Sequence, residues 1–203
     1  GRAVKKDFLR SVGVLSLIAV VAGLLLGLMY QITYLSDEEK EARMLAKLSA
    51  VYVISDAEKL YQKGGEDNRF ESEDPSLNKM VSYFYEAKNE SGETVYVIVC
   101  EGKGGNGGNI EMYTVISSDC IVKLASGTNS ETPGFKDKVF TSSFYEKFYG
   151  RDLAELEQFE LKGSGENGVD AVSGATYTST GTVNAINNAV RFYLEFKGKE
   201  VQA

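Results

Sequence analysis

The chain has 203 residues, 43% hydrophobic and 25% charged, with a net charge of −7; that length holds one compact domain plus an appendage, and that composition excludes wholesale disorder. Residues 1–10 carry +3, from Arg2, Lys5, Lys6 and Arg10 against Asp7, which leaves −10 on residues 11–203, an acidic surplus that repels phosphate backbones and argues against nucleic-acid binding. Histidine is absent and the cysteines are Cys100 and Cys120 alone, which excludes Ser-His-Asp and Cys-His catalysis, histidine-ligated zinc or haem, and an iron–sulfur cluster held by this chain by itself.

No catalytic side chain and no metal site are therefore expected, and redox chemistry would have to come from an organic cofactor. The N-terminal segment 1–10 reads as cytoplasmic and 11–34 as a single transmembrane helix. From Ser11 to Ser36 no residue is charged, and Val12 to Tyr30 is almost wholly apolar, long enough at about 1.5 Å per residue to cross a ~30 Å hydrocarbon core. A cleaved signal peptide is the competing reading, but its apolar region is usually only about 7–15 residues and no Ala-x-Ala-like site follows Met29. Basic residues before the run and Asp37, Glu38, Glu39 and Glu41 after it set the N-terminus inside and the remainder on the extracytoplasmic side of the cell membrane. Ala19, Gly23 and Gly27, four residues apart, would let a second membrane helix approach closely, although small residues are common in such helices in any case.

Residues 35–76 read as a helical linker region. Ser36 as N-cap with Glu39 three positions on has capping-box spacing, and Leu45, Leu48, Val51, Tyr52 and Ile54 extend a helix from Asp37 to Lys63, ended by Gly64 and Gly65. Glu66 to Ser76 reads as loop. Residues 77–203 form the main domain. Val81–Ala87 with Thr94–Cys100, and Asn109–Ile116 with Ile121–Ala125, are β-rich runs separated by turn clusters and predict two hairpins of an antiparallel sheet. Helices are expected over 142–148, 153–159 and 180–196, so the class is α+β. The cysteines read as small buried core residues, with a disulfide as the alternative. The Gly102–Gly108 run reads as a flexible hairpin loop, and no Gly-Lys-Ser/Thr follows to make it a nucleotide loop.

Asp170-Ala-Val-Ser173-Gly174-Ala175-Thr176-Tyr-Thr178-Ser179 lies just before the last helix. Gly174 and Ala175 lack bulk, the helix N-terminus favours an anion, and hydroxyls at Ser173, Thr176, Thr178 and Ser179 can donate to one. By physics alone such a segment reads first as a helix cap and its loop.

The same residues resemble the flavinylation motif of the FMN-binding domain shared by the G subunit of Rnf complexes and the C subunit of sodium-translocating NADH:quinone reductases. In that family the last threonine of the motif bears FMN through a phosphoester bond, and the matching residue is Thr176. Glu131-Thr132-Pro133-Gly134 resembles a second family segment that lies by the flavin; Phe135 and Lys136 depart from its usual Leu-Gly continuation. The resemblance spans roughly residues 95–196. It implies that Ser173, Gly174, Ala175 and Thr178 shape the phosphate loop, that Asp170 helps present the motif to a flavin transferase, that Glu131 and Thr132 touch the flavin, and that Lys162, in Phe159-Glu-Leu-Lys-Gly163, is a further contact.

The implied function is that of an electron-transfer subunit with covalent FMN in an Rnf-type ion-translocating ferredoxin:NAD oxidoreductase, performing no net reaction alone. Its partners would be the other membrane subunits, the lipid bilayer and, during maturation, the transferase. The quinone-reductase C subunit and a flavin-free extracytoplasmic binding or assembly module are the alternatives.

Overall fold

The computed structural model describes residues 2–33, 36–156, 158–161 and 167–200. The chain divides into two compact units, Gly1–Leu45 and Ala46–Ala203. The first is dominated by helix α1, Arg2–Thr33. Its stretch Arg10–Gln31, 22 residues with none buried, is long and apolar enough to cross a membrane. Helix α2, Asp37–Ser49, starts with the expected capping box: Glu39 Oε2 accepts from the Ser36 amide at 3.1 Å, and Ser36 Oγ accepts from the Glu39 amide at 3.2 Å. Two helix-start donors are satisfied reciprocally.

The helix predicted to run to Lys63 instead ends at Ser49. The amides of Val51 and Tyr52 both close on the Leu48 carbonyl, and the chain then enters strand β1, Ile54–Gln62. Val51-Tyr52-Val53-Ile54 is a run of β-branched and aromatic side chains, which lose χ1 freedom in a helix and fit a pleated strand. The helical spacing from Leu45 to Ile54 is therefore accidental beyond Leu48. β1 is an edge strand, interrupted by register shifts and by Asp56 at φ +49°. Its charged, irregular outer side discourages pairing with another chain.

The five strands β1, β2 (Val81–Asn89), β3 (Thr94–Gly102), β4 (Ile110–Ser117) and β5 (Cys120–Ser126) form an antiparallel meander in chain order. The two expected hairpins are β2–β3 and β4–β5. In the first turn Asn89 Oδ1 accepts from the amides of Ser91 and Glu93, with Gly92 at φ +78°, an arrangement suited to asparagine and glycine. Short helix α3, Pro75–Met80, opens where loop was expected, with Asp74 Oδ1 accepting from the Ser76 amide and Pro75 at its start. Pro at the first helical position costs no hydrogen bond.

Between the sheet and the final helix come α4 (Pro133–Val139), α5 (Ser142–Tyr145) with a 3₁₀ turn at Glu146–Phe148, and a two-residue parallel pair, β6 (Glu160–Leu161) with β7 (Gly168–Val169). The helix expected over 153–159 does not form. The Leu153 amide bonds the Asp119 carbonyl, and Phe159 exchanges two hydrogen bonds with the Asn187 side chain. Leu153, Leu156 and Phe159 are buried, so their three-residue spacing reports anchoring points along an irregular segment.

Helix α6, Thr176–Glu200, packs across β3 and β4. Phe84, Ile98, Ile110, Met112 and Ile116 from the sheet meet Val183, Ile186, Ala189, Val190 and Phe192 in one core. Cys100 lies in it, its thiol donating to the Ala185 carbonyl at 2.9 Å, and burial pushes that thiol far up from its ordinary value. Both cysteines are free; Cys120 is half-buried.

Candidate functional site

α6 begins at Thr176, four residues earlier than expected, so Thr176, Thr178 and Ser179 stand in its first turn. The turn that feeds it closes by a bond from the Ala175 amide to the Val172 carbonyl at 2.9 Å, with Gly174 at φ +71°. That left-handed conformation is the reason for a glycine there. Ser179 Oγ donates to the Ala175 carbonyl at 3.0 Å and accepts from the Val172 amide at 3.1 Å. Thr178 is 1% exposed and its hydroxyl donates to Glu131 Oε2.

Of the four hydroxyls named from sequence, two are thus spent inside the protein, and the exposed pair is Ser173 and Thr176. At this end of α6 the Ser179 amide bonds the Ala175 carbonyl at 2.9 Å. The amides of Thr176, Tyr177 and Thr178 precede it and have no carbonyl of the helix to bond.

A second segment comes alongside. Glu131 is 5% exposed; its other oxygen, Oε1, accepts from the Gly107 amide at 2.6 Å, and its own amide bonds Asn129 Oδ1 at 3.2 Å. Both carboxylate oxygens therefore hold donors of the protein, so Glu131 braces the site where the resemblance implies a flavin contact. Thr132 caps α4 with no side-chain cap bond and is exposed, which leaves its hydroxyl open to a ligand. α4 packs against α6, and a Cβ placed on Gly174 would lie 3.5 Å from Lys138 Nζ. Lys147 Nζ donates to the Asp170 carbonyl at 3.3 Å. The Asp170 side chain is exposed. Sequence reasoning misses Lys138, which no local signal marks: it approaches Gly174 because α4 lies against α6. Lys162 lies outside the described residues.

The glycine run is a packing surface. A side chain on Gly102 would strike the backbone of Gly181 and Ala185, one on Gly107 the backbone of Ser130, and one on Gly105 would come within 2.9 Å of Glu131 Oε1. Asn184 Nδ2 donates to the Lys103 carbonyl at 2.7 Å and Asn188 Nδ2 to the Glu101 carbonyl at 2.8 Å. Positions 102, 105 and 107 are glycine because α6, Glu131 and Ser130 approach too closely for a Cβ, and 104 and 108 because the backbone turns through positive φ there, so the run is packed and turned where a flexible loop was expected.

Residues 105–191 match the family model of the FMN-binding domain. Over that stretch the chain is similar to the FMN-binding domain. The matched stretch starts inside the glycine run and ends on α6, so it contains Glu131, Lys138, Gly174 and Thr176. Over 121 residues the chain is 34% identical to the G subunit of the ion-translocating oxidoreductase complex of Methanosarcina acetivorans, covering 59% of this chain and 62% of that relative. Over 185 residues it is 23% identical to the G subunit of the proton-translocating ferredoxin:NAD(+) oxidoreductase complex of Clostridium ljungdahlii, covering 91% of this chain and 90% of that relative. The chain thus spans less than two thirds of the first relative's length.

The site's chemistry fits the phosphate end of FMN. The left-handed turn at Gly174 presents bare backbone beside the Lys138 ammonium, and the start of a 25-residue helix supplies free amides and the positive end of its dipole. Among the described residues of the second unit, the exposed large aromatics are Tyr177, 70% exposed, and Phe135, 37% exposed; one stands in each of the two segments.

Proposed function

We propose that this chain is a membrane-anchored electron-transfer subunit that carries FMN through a phosphoester on Thr176, within an Rnf-type ion-translocating ferredoxin:NAD oxidoreductase complex. The observation that carries the reading is the exposed Thr176 hydroxyl at the first position of α6, inside an FMN-binding domain, beside neighbours Thr178 and Ser179 whose hydroxyls are buried and engaged. Both curated relatives are named as G subunits of ion-translocating complexes, which favours that assembly over a place as the quinone-reductase C subunit.

Each residue's part is limited. In maturation by a separate flavin transferase, the Thr176 oxygen bonds to the FMN-side phosphorus of FAD, the pyrophosphate linkage breaks, AMP leaves with the bonding pair, and the hydroxyl proton is released. Asp170, exposed at the start of the turn, presents the motif to that enzyme. Thereafter Gly174, Ala175 and the first-turn amides surround the phosphate, Ser173 donates to it, and Lys138 lowers the cost of its charge. Thr132 offers a hydroxyl to the flavin. Bound FMN supplies the electron transfer, and the protein supplies attachment and orientation. α1 lies in the bilayer with the basic N-terminus cytoplasmic and the FMN-binding domain outside, and the other membrane subunits are its partners.

The test is in-gel ultraviolet fluorescence of the denatured chain after co-expression with a flavin transferase. Wild type and Ser173→Ala should fluoresce and Thr176→Ala should be dark. Fluorescence of Thr176→Ala, or a dark wild type, overturns the attachment. Protease added outside spheroplasts should digest residues 46–203; their full protection overturns the topology.

A further inference from the structure

Glu131 and Thr178 stand 47 residues apart in the chain, yet they make a buried side-chain hydrogen bond. The Glu131 carboxylate joins three segments. It belongs to the stretch entering α4, it takes the Gly107 amide from the glycine run, and it takes the Thr178 hydroxyl from the first turn of α6. Removing a carboxylate from water is unfavourable unless its oxygens find donors. An apolar side chain would fill the same space without that cost. What it would not do is fix the height and rotation of the helix end against two loops.

Helix ends ordinarily fray. This one is held on two sides: Thr178 by Glu131, and Ser179 by the Val172 amide and the Ala175 carbonyl. Thr176 and its exposed hydroxyl lie on the same turn, two and three residues before those anchors.

We propose that Glu131, acting through Thr178, is a positioning residue for flavin attachment: it keeps the first turn of α6 formed, so that the Thr176 hydroxyl meets the transferase in a fixed place. This inference rests on the reading of Thr176 as the acceptor. Glu131 does not touch the reacting atoms in it.

The experiment uses the 203-residue chain in detergent, a flavin transferase and FAD, and follows covalent fluorescence with time at several chain concentrations. Thr178→Val keeps the buried volume and removes the donor; Thr178→Ser keeps the donor and removes a methyl group. Thr178→Val should lower the rate constant at saturating chain by about tenfold, the scale on which a hydrogen bond to a charged acceptor acts. Thr178→Ser should stay within about twofold of wild type, because the donor that matters is retained. Amide exchange at Thr176–Ser179 should quicken in Thr178→Val and not in Thr178→Ser, with both unfolding temperatures recorded. Wild-type rates in Thr178→Val, or equal impairment of the two variants, would overturn this inference alone. An unlabelled wild type would overturn the Thr176 reading and this inference together.

Discussion

Replacing Gly102 by alanine should loosen the whole domain, whereas the same change at Gly198 should tighten it. On Gly102 the new Cβ would sit 2.8 Å from Ala185 Cα, and closer still to the Gly181 carbonyl oxygen and the Ala185 amide. Carbon atoms rest about 3.5–4.0 Å apart, so backbone must yield by roughly 1 Å. The yielding element is α6, and lifting it strains the bonds from Asn184 and Asn188 to the carbonyls of Lys103 and Glu101. Overpacking of this kind costs about 3 kcal/mol. For a domain of this size that lowers the unfolding temperature by about 6–12 °C. Gly198 has nothing within 4 Å of its Cβ position, and alanine there gains about 0.5 kcal/mol of helix propensity. Thermal unfolding of the 203-residue chain in detergent, followed by far-ultraviolet circular dichroism, compares the three proteins. A Gly102→Ala midpoint within about 2 °C of wild type would refute the close-packing account and return the run to a flexible loop.

Other changes probe separate features. Glu131→Ala leaves the Gly107 amide and the Thr178 hydroxyl without their acceptor, and urea titration should show a loss of about 3 kcal/mol. Tyr193→Phe removes a 2.6 Å bond from the phenol to Asp119 Oδ1 and should cost about 1.5 kcal/mol by the same titration. Burial pushes the Glu111 carboxyl up, against the Thr128 amide that bonds it, and nearby Glu101 adds to the rise. The folded state then holds that proton to higher pH than the unfolded chain does. Its contribution is therefore most favourable below the ordinary carboxylate range and is lost as pH rises through the folded value. Glu111→Gln should flatten stability against pH just above 4.5, and an unchanged slope would refute the assignment.

The parts of the fold legible in sequence were those written in neighbouring residues. Ser36 and Glu39 are three positions apart and bond as their types demand; the β2–β3 turn carries its own asparagine and glycine. β1 was obscured because an edge strand needs only one apolar side, and Asp56, Glu58 and Lys59 look the same on a helix. Long-range pairings left no local mark. Glycine at 102, 105 and 107 answers atoms of Gly181, Glu131 and Ser130, and a glycine kept for closeness is indistinguishable in sequence from one kept for freedom. The site divides in the same way. Thr176 and Gly174 were visible as a motif, whereas the engagement of Thr178 with Glu131 and the approach of Lys138 to Gly174 depend on α4 lying against α6.

Asn184, Asn187 and Asn188 bond backbone atoms at Lys103, Phe159 and Glu101, and so they index α6 against its surroundings. A helix seated by apolar packing alone tolerates small axial slips, but three amides aimed at fixed carbonyls do not slip together. One residue inserted between Ser179 and Asn184 would leave the asparagines seated and turn everything before it by about 100°, raising it about 1.5 Å. Thr176 would then face another direction and Thr178 would be carried off Glu131, so the spacing between Ser179 and Asn184 is itself part of the proposed attachment site.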